Sequence, residues 1–160
     1  MRILTFFLMF FSVNAFAVER ISTYTEDALS IVNENFRQLD YSISHLLMDK
    51  GDSSAANYTQ ANLTTDNTWR DLDLSALIPK DAKAVLLYVK LTDDAAGSEL
   101  SFRENGNFAA INISTIATQV ANVSVYADLI VFADTTGKIE YRGSNLAFTN
   151  ISVVVKGWLK

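Results

Sequence analysis

The 160-residue chain contains no cysteine, one histidine and one proline. Without cysteine it forms neither disulfide bonds nor thiolate metal sites. A Ser/His/Asp triad needs a histidine beside its serine, and the single histidine, His45, falls on an outward position of a predicted helix. We therefore expect no metal ion, no cofactor and no enzymatic activity.

The chain also lacks a basic cluster. It has 13 Lys and Arg against 18 Asp and Glu, a net charge of −5, within an ordinary globular composition of 49% hydrophobic residues. Binding to nucleic acid relies on clustered Lys and Arg that neutralise phosphates. We therefore expect no nucleic-acid partner, and anionic membranes are disfavoured for the same reason.

No hydrophobic run reaches the roughly 20 residues that span a bilayer. The longest run at the start, Ile3 to Phe11, follows Arg2 and precedes Ala15-Phe16-Ala17. This order is typical of a secretory signal peptide cleaved after Ala17. Residues 1–17 are thus predicted to be a signal peptide, which would make the chain periplasmic or extracellular. The alternative is a retained hydrophobic anchor, in a membrane or inside a larger particle.

Residues 18–50 are predicted to form a helical coiled-coil stalk. Apolar residues recur there in steps of three and four, a mean period of about 3.5, which is the spacing of a coiled-coil seam. The seam residues are Leu29, Val32, Phe36, Leu39, Ile43 and Leu46. The spacing favours self-association, although it does not decide between dimer and trimer. The alternative is one amphipathic helix that packs against its own β domain.

Residues 51–68 are small and polar and are predicted to be a linker. From Trp69 onwards, short β-rich segments alternate with turn signals, which is typical of antiparallel sheets. The predicted strands are 68–73, 83–92, 98–104, 107–113, 119–126, 128–134, 137–142 and 149–158. The predicted fold is mainly β, with residues 69–160 forming an antiparallel eight-stranded β-sandwich or jelly-roll-like domain.

Three groups of residues are candidates for ligand binding. Trp69 begins the first predicted strand of this domain and Trp158 ends the last, so paired tryptophans would line a sugar site, or else close the base of the sandwich. Two carboxylate pairs, Asp71 with Asp73 and Asp93 with Asp94, offer oxygen ligands of the kind that Ca²⁺ uses. Neither pair has the ligand count of a calcium loop, so turn formation is the preferred interpretation.

Several segments resemble phage structural proteins. IVNENFRQLD, residues 31–40, is similar to the helices that open many phage fibre and appendage modules. Residues 69–160 resemble the small β domains that close phage fibre proteins. The matching segments are DLDLSALIPKDAKAVLLYVKLTD, SFRENGN, GKIEYRGSN and ISVVVKGWLK. The resemblance implies a homotrimeric fibre or knob on a virion surface, in contact with other virion proteins and used for attachment or decoration. It carries over no receptor-binding residue.

The hydrophobic start departs from this family, because virion fibre proteins usually lack a signal peptide. Either the host exports the chain, or the start attaches it within a particle. The leading hypothesis is a non-enzymatic trimeric stalk-and-knob protein that binds a surface, with a cell-surface glycan as a candidate ligand. The alternative is a secreted or periplasmic β-sandwich protein of a bacterium that binds carbohydrate as a monomer.

Overall fold

The computed structural model describes residues 25–41 and 46–160, which belong to two compact units divided between His45 and Leu46. The predicted leader, residues 1–17, and the seam residue Ile43 lie outside the described residues. In the first unit, residues 25–41 form helix α1. No glycine or proline interrupts this segment, and Glu34 pairs with Arg37 at 3.5 Å on its exposed surface.

The stalk prediction needs correction at its C-terminal end. The sequence predicts helix to residue 50, whereas Leu47–Asp49 form a β-strand in the second unit. Leu46, predicted as the last seam residue, also lies in the second unit, where its carbonyl accepts a hydrogen bond from the backbone N–H of Lys160 at 3.0 Å. Pairing with a distant strand overrides local helical preference here.

The second unit contains two antiparallel sheets. Its nine strands are β1 (Leu47–Asp49), β2 (Tyr58–Thr59), β3 (Arg70–Asp73), β4 (Ala84–Thr92), β5 (Glu99–Glu104), β6 (Ser114–Ala117), β7 (Val125–Phe132), β8 (Lys138–Gly143) and β9 (Asn150–Leu159). Sheet A has the order β1-β9-β4-β7, with β2 also paired to β9. Sheet B has the order β3-β8-β5-β6. The mainly β, sandwich-like prediction is confirmed at this level.

One hydrophobic core joins the two sheets. Alternate residues of β4 point into it, because successive side chains of a strand face opposite sides of the sheet. These β4 residues are Val85, Leu87, Val89 and Leu91, and sheet B contributes Leu72, Leu100, Phe102, Ile139 and Tyr141. Each fully buried aliphatic or aromatic side chain stabilises the fold by about 1.5–3 kcal/mol.

Two of the predicted strands are wrong. Residues 107–113 and 119–124 are turns and loops, and β6 lies between them. The Asn107 side chain accepts a hydrogen bond from the N–H of Ala109 at 2.9 Å, and Asn122 has a positive φ of 61°. Asparagine favours such local bonds and left-handed conformations over an extended strand. Residues 69–160 therefore contain seven strands, not the predicted eight.

Residues 51–68 do not behave as a linker. They belong to the second unit, in which β1 and β2 pair with the same edge of β9 one after the other. Leu63 and Thr65 are buried beyond β2 and a short 3-10 helix, Gln60–Asn62. The small polar composition that suggested a linker therefore belongs to an interrupted edge strand and the chain that follows it.

Candidate functional site

The outer face of sheet B carries a row of alternating charges beside Trp69. Along β8, Ile139 and Tyr141 point into the core, so the residues between and beside them face outwards. These outward residues are Lys138, Glu140 and Arg142. The register places Glu140 between Asp71 of β3 and Arg103 of β5. Trp69, just before β3, continues this register beside Arg142.

Arg103 connects this row of charges to Trp69. Although it lies on the outer face, its side chain is only 8% exposed. Its Nε donates a hydrogen bond to Glu140 at 2.5 Å, and its guanidinium carbon lies 4.1 Å from the centre of the Trp69 ring. A charge this buried requires its carboxylate partner, and the tryptophan ring adds a cation–π contribution of about 0.5–2 kcal/mol.

Arg142 approaches the same tryptophan. Its guanidinium carbon lies 4.9 Å from the Trp69 ring centre, and the side chain is half-buried. The other arginines in the described residues pair with carboxylates: Arg37 with Glu34, Arg70 with Asp66 and Arg103 with Glu140. Within residues 25–41 and 46–160, no carboxylate pairs with Arg142. We call Trp69, Arg103, Glu140 and Arg142 the Trp69 cluster.

The loop between β5 and β6 adds an exposed aromatic ring next to this cluster. Phe108 is 88% exposed, and its ring centre lies 5.8 Å from the guanidinium carbon of Arg103. A phenylalanine so exposed gains little from the fold of its own chain. The outer face of sheet B thus combines an arginine without a carboxylate partner, a braced tryptophan and an exposed aromatic ring.

The two tryptophans predicted as candidate ligand contacts do not form one site. Trp69 lies on the outer face of sheet B, whereas Trp158 pairs with Val85 in sheet A and packs against the core. Trp158 packs against the core, as the preferred interpretation, closure of the base of the sandwich by both tryptophans, expects, whereas Trp69 does not. Contact of either tryptophan with a ligand stays a prediction.

The outer face of sheet A is apolar. We call it the apolar face, and its residues are Leu86, Tyr88, Tyr126, Ile130, Phe132 and Val154. The three residues from β7 are each more than half exposed, and Tyr88 stacks with Tyr126 at a ring-centre distance of 6.1 Å. The charge of Asp128 in this face is paired with Lys156 at 3.1 Å. Lys90 and Ser152 also point outwards here, so the face presents mostly apolar side chains, one ion pair and the charge of Lys90.

The predicted carboxylate pairs serve turns and strands. Asp93 is buried, which opposes its ionisation, but hydrogen bonds from Ser98, Asn145 and the backbone N–H groups of Asp94 and Thr149 lower its pKa below the ordinary value. Asp94 is exposed.

In the other pair, Asp71 lies 3.5 Å from Lys138, and Asp73 accepts a hydrogen bond from the N–H of Ser75 at 2.9 Å. The part of the chain that the structure describes holds no group of three His, Cys, Asp or Glu residues arranged for a metal ion. The described residues also contain no helix with the length and hydrophobicity needed to cross a membrane.

No protein-family model matches the chain, and no curated protein matches its sequence. The site is therefore defined by geometry alone. Sequence reasoning found Trp69 but missed Arg103, Glu140 and Arg142, because three strands distant in sequence bring these residues together. The sequence pointed to the site only through Arg103 and Arg142, which stand at outward positions of segments whose hydrophobic residues alternate.

Proposed function

We propose that this chain is a non-enzymatic structural protein that assembles into a homotrimeric stalk-and-knob fibre, displayed on a virion surface for attachment or decoration. The observation that carries the proposal is the apolar stripe on α1, formed by Leu29, Val32, Phe36 and Leu39. These side chains are between 47% and 66% exposed in the single chain.

A helix with this stripe needs a partner. Isolated helices shorter than about 12–15 residues are marginal in water even when rich in alanine, and most helical stability in proteins comes from burial of one face. The stripe keeps the steps of three and four that bring side chains into a coiled-coil seam. Association of copies would bury every member of the stripe at once.

The apolar face of sheet A supports association of the β units as well. Exposed apolar patches of this kind mark interaction sites in soluble proteins. β7 is also an edge strand of sheet A, and its inward residues Val125, Ala127 and Leu129 are only half-buried. We propose that a second copy of the chain covers this edge.

The strand order supports a jelly-roll assignment within this proposal. Strands β2 to β9 divide into the series β2-β9-β4-β7 and β3-β8-β5-β6, and every connection except β5–β6 crosses between the sheets. Such double-sheet folds recur in viral capsid proteins and lectins. Because a fold alone does not fix a function, the strand order supports the proposal without carrying it.

Light scattering on the purified chain tests the proposal. We expect three times the chain mass, which is 17.7 kDa for the full sequence. Leu39→Asp places a charge in the stripe and is expected to break the trimer or to remove the helical circular dichroism signal. Ser30→Asp, on another face of α1, is the matched control and should keep the trimer. A monomer that keeps its helix in the unchanged protein would overturn the proposal.

The second candidate function is binding of carbohydrate by an exported monomeric β-sandwich. The observation that favours it is the Trp69 cluster next to exposed Phe108. A glycan array probed with the unchanged protein and with Trp69→Ala separates the candidates. Binding that is lost in Trp69→Ala, by a protein that light scattering shows to be monomeric, would favour this second function.

A further inference from the structure

We infer that the outer face of sheet B binds an acidic saccharide, with Arg142 as the contact for its carboxylate, sulfate or phosphate group. The inference rests on the proposal that the chain binds a surface ligand, and it names the chemical class of that ligand. It does not depend on the number of chains in the assembly.

The first step is the hydrogen-bonding capacity of Arg142. A guanidinium has five N–H donors, and within the described residues none of those on Arg142 donates to a protein acceptor. The side chain is half-buried, so it is already partly desolvated before a ligand arrives. An anionic group with two oxygens matches the planar fork of an arginine and forms two parallel hydrogen bonds with it.

The second step is preorganisation. Arg142 packs on Trp69, Trp69 packs on Arg103, and Arg103 is fixed by its hydrogen bond to Glu140. Each contact restricts the next one, so Arg142 has less side-chain freedom to lose when a ligand binds. Restriction of this kind improves affinity because it reduces the entropy lost on binding.

The third step is the charge around Arg142. The neighbouring charges cancel in pairs: Arg103 with Glu140, Lys138 with Asp71, and Arg70 with Asp66. Arg142 is therefore the cation of this face that lies outside these pairs, and the carboxylates of Asp73 and Glu99 lie on the same face. One such charge suits a single anionic substituent and does not suit a polyanion backbone, which needs many cations in a row.

The fourth step is the aromatic surface. The arginines already occupy positions over Trp69, so this ring serves to hold them. Phe108, beside Arg103, is the exposed ring that is open to a ligand. A saccharide that carries an acidic group has both features needed here, an anion for Arg142 and an apolar ring face for Phe108.

Fluorescence titration tests the inference. Trp158→Phe leaves Trp69 as the single tryptophan of the chain, so its emission reports on the cluster. The probes are trigalacturonate with its neutral methyl ester, a sulfated galactan oligosaccharide with its desulfated form, and inorganic sulfate. We expect at least one charged oligosaccharide to change the emission, with its neutral counterpart and inorganic sulfate binding about tenfold more weakly.

Variants assign the contact. In the same background, Arg142→Gln is expected to weaken binding about tenfold or more, and Arg142→Lys is expected to be intermediate because it keeps the charge without the fork. Arg70→Gln is the matched control, since Arg70 is already paired with Asp66, and it should bind as the parent does. Calorimetry on the chain with both tryptophans checks that Trp158→Phe has not altered the site.

Three results would overturn the inference: equal binding of Arg142→Gln and its parent, equal binding of charged and neutral probes, or no binding up to about 10 mM probe. If inorganic sulfate binds as tightly as the oligosaccharides, the face holds a simple anion site. That result would overturn the inference that its ligand is a saccharide. Light scattering on the same samples separates this outcome from the proposed function. A trimer without binding rejects this inference alone, whereas a monomer rejects the trimeric fibre.

Discussion

The side chain of Asn57 takes the place of a backbone partner in sheet A, since its Oδ1 accepts a hydrogen bond from the N–H of Val155 at 2.8 Å. The backbone N–H of Asn57 also donates to the carbonyl of Val153 at 2.9 Å. Asn57 therefore bridges the gap between β1 and β2 along the edge of β9. Without it, the N–H of Val155 would have no acceptor in a half-buried edge.

We predict that Asn57→Ala lowers the free energy of unfolding by about 1–2 kcal/mol, because it leaves a backbone donor unsatisfied. Urea denaturation followed by tryptophan fluorescence measures the change. Asn112→Ala, in an exposed loop, is the control and should stay within about 0.5 kcal/mol of the unchanged protein. Equal stability of the two variants would show that residues 51–68 contribute no more than a linker would.

A second prediction concerns the pair of Arg103 and Glu140. Both side chains are largely buried, at 8% and 14% exposure, so removal of one partner leaves the other charge unpaired. We expect Glu140→Met and Arg103→Met each to cost about 3–5 kcal/mol and to shift the emission of Trp69. The double variant Arg103→Met/Glu140→Met should recover most of the loss, because it removes both buried charges together.

Denaturation of the single and double variants gives the coupling energy between the two side chains. If the losses of the single variants simply add in the double variant, the pair does not act as a unit. Arg142 would then not be held through Trp69 in the way that the proposed saccharide site requires.

The predictable parts of the fold are those fixed by short-range pattern. The alternation of Val85, Leu87, Val89 and Leu91 placed β4 within one residue at its start, because a buried face imposes a period of two. The turn at Asn105-Gly106 also forms, with Gly106 at a φ of 79°. For both the strand and the turn, the residues that give the sequence pattern are the same residues that form the element.

The parts that could not be predicted depend on pairing between distant segments. The alternating hydrophobic residues of 107–113 predict a strand, yet no neighbouring strand pairs with them. By contrast, β6 pairs with β5, where Leu100 lies opposite Ile116. The Trp69 cluster likewise needs the register of β3, β8 and β5, which hydrophobic periodicity does not specify. Candidate ligand-binding residues were therefore identified singly and not as a site.

A third prediction tests the apolar face with two adjacent residues of β7. Ile130 is 57% exposed, whereas Val131 points into the core. Ile130→Asp is expected to weaken association of the β units without changing the stability of each one. Val131→Asp should unfold the unit, because it buries an unpaired charge. Analytical ultracentrifugation over a range of concentrations, with thermal denaturation in parallel, separates the two effects.

If Ile130→Asp leaves the sedimentation coefficient and its concentration dependence unchanged, a second copy does not cover the apolar face. Association would then rest on the stripe of α1 alone. Leu39→Asp combined with Ile130→Asp distinguishes these cases, since independent contacts should show additive losses.

A fourth prediction follows from Asp134 in the turn between β7 and β8. Burial opposes its ionisation, but hydrogen bonds from the N–H of Lys138, the hydroxyl and N–H of Thr136 and the amide of Asn105 outweigh this and lower the pKa of Asp134 to about 2. Because its folded-state pKa lies below the unfolded value of 3.8, the ionised carboxylate stabilises the fold above pH 3.8. This stabilisation is lost as the pH falls from about 4 to 2.

We expect Asp134→Ala to lose about 1–2 kcal/mol at pH 7, after allowance for screening by solvent, and to show a shallower loss of stability between pH 4 and 2 than the unchanged protein. Urea denaturation at a series of pH values measures both effects. Asp81→Ala is the control, since its carboxylate is exposed and pairs with the exposed Lys160 at 3.5 Å. Identical pH profiles for Asp134→Ala and the unchanged protein would mean that this turn does not hold its carboxylate ionised.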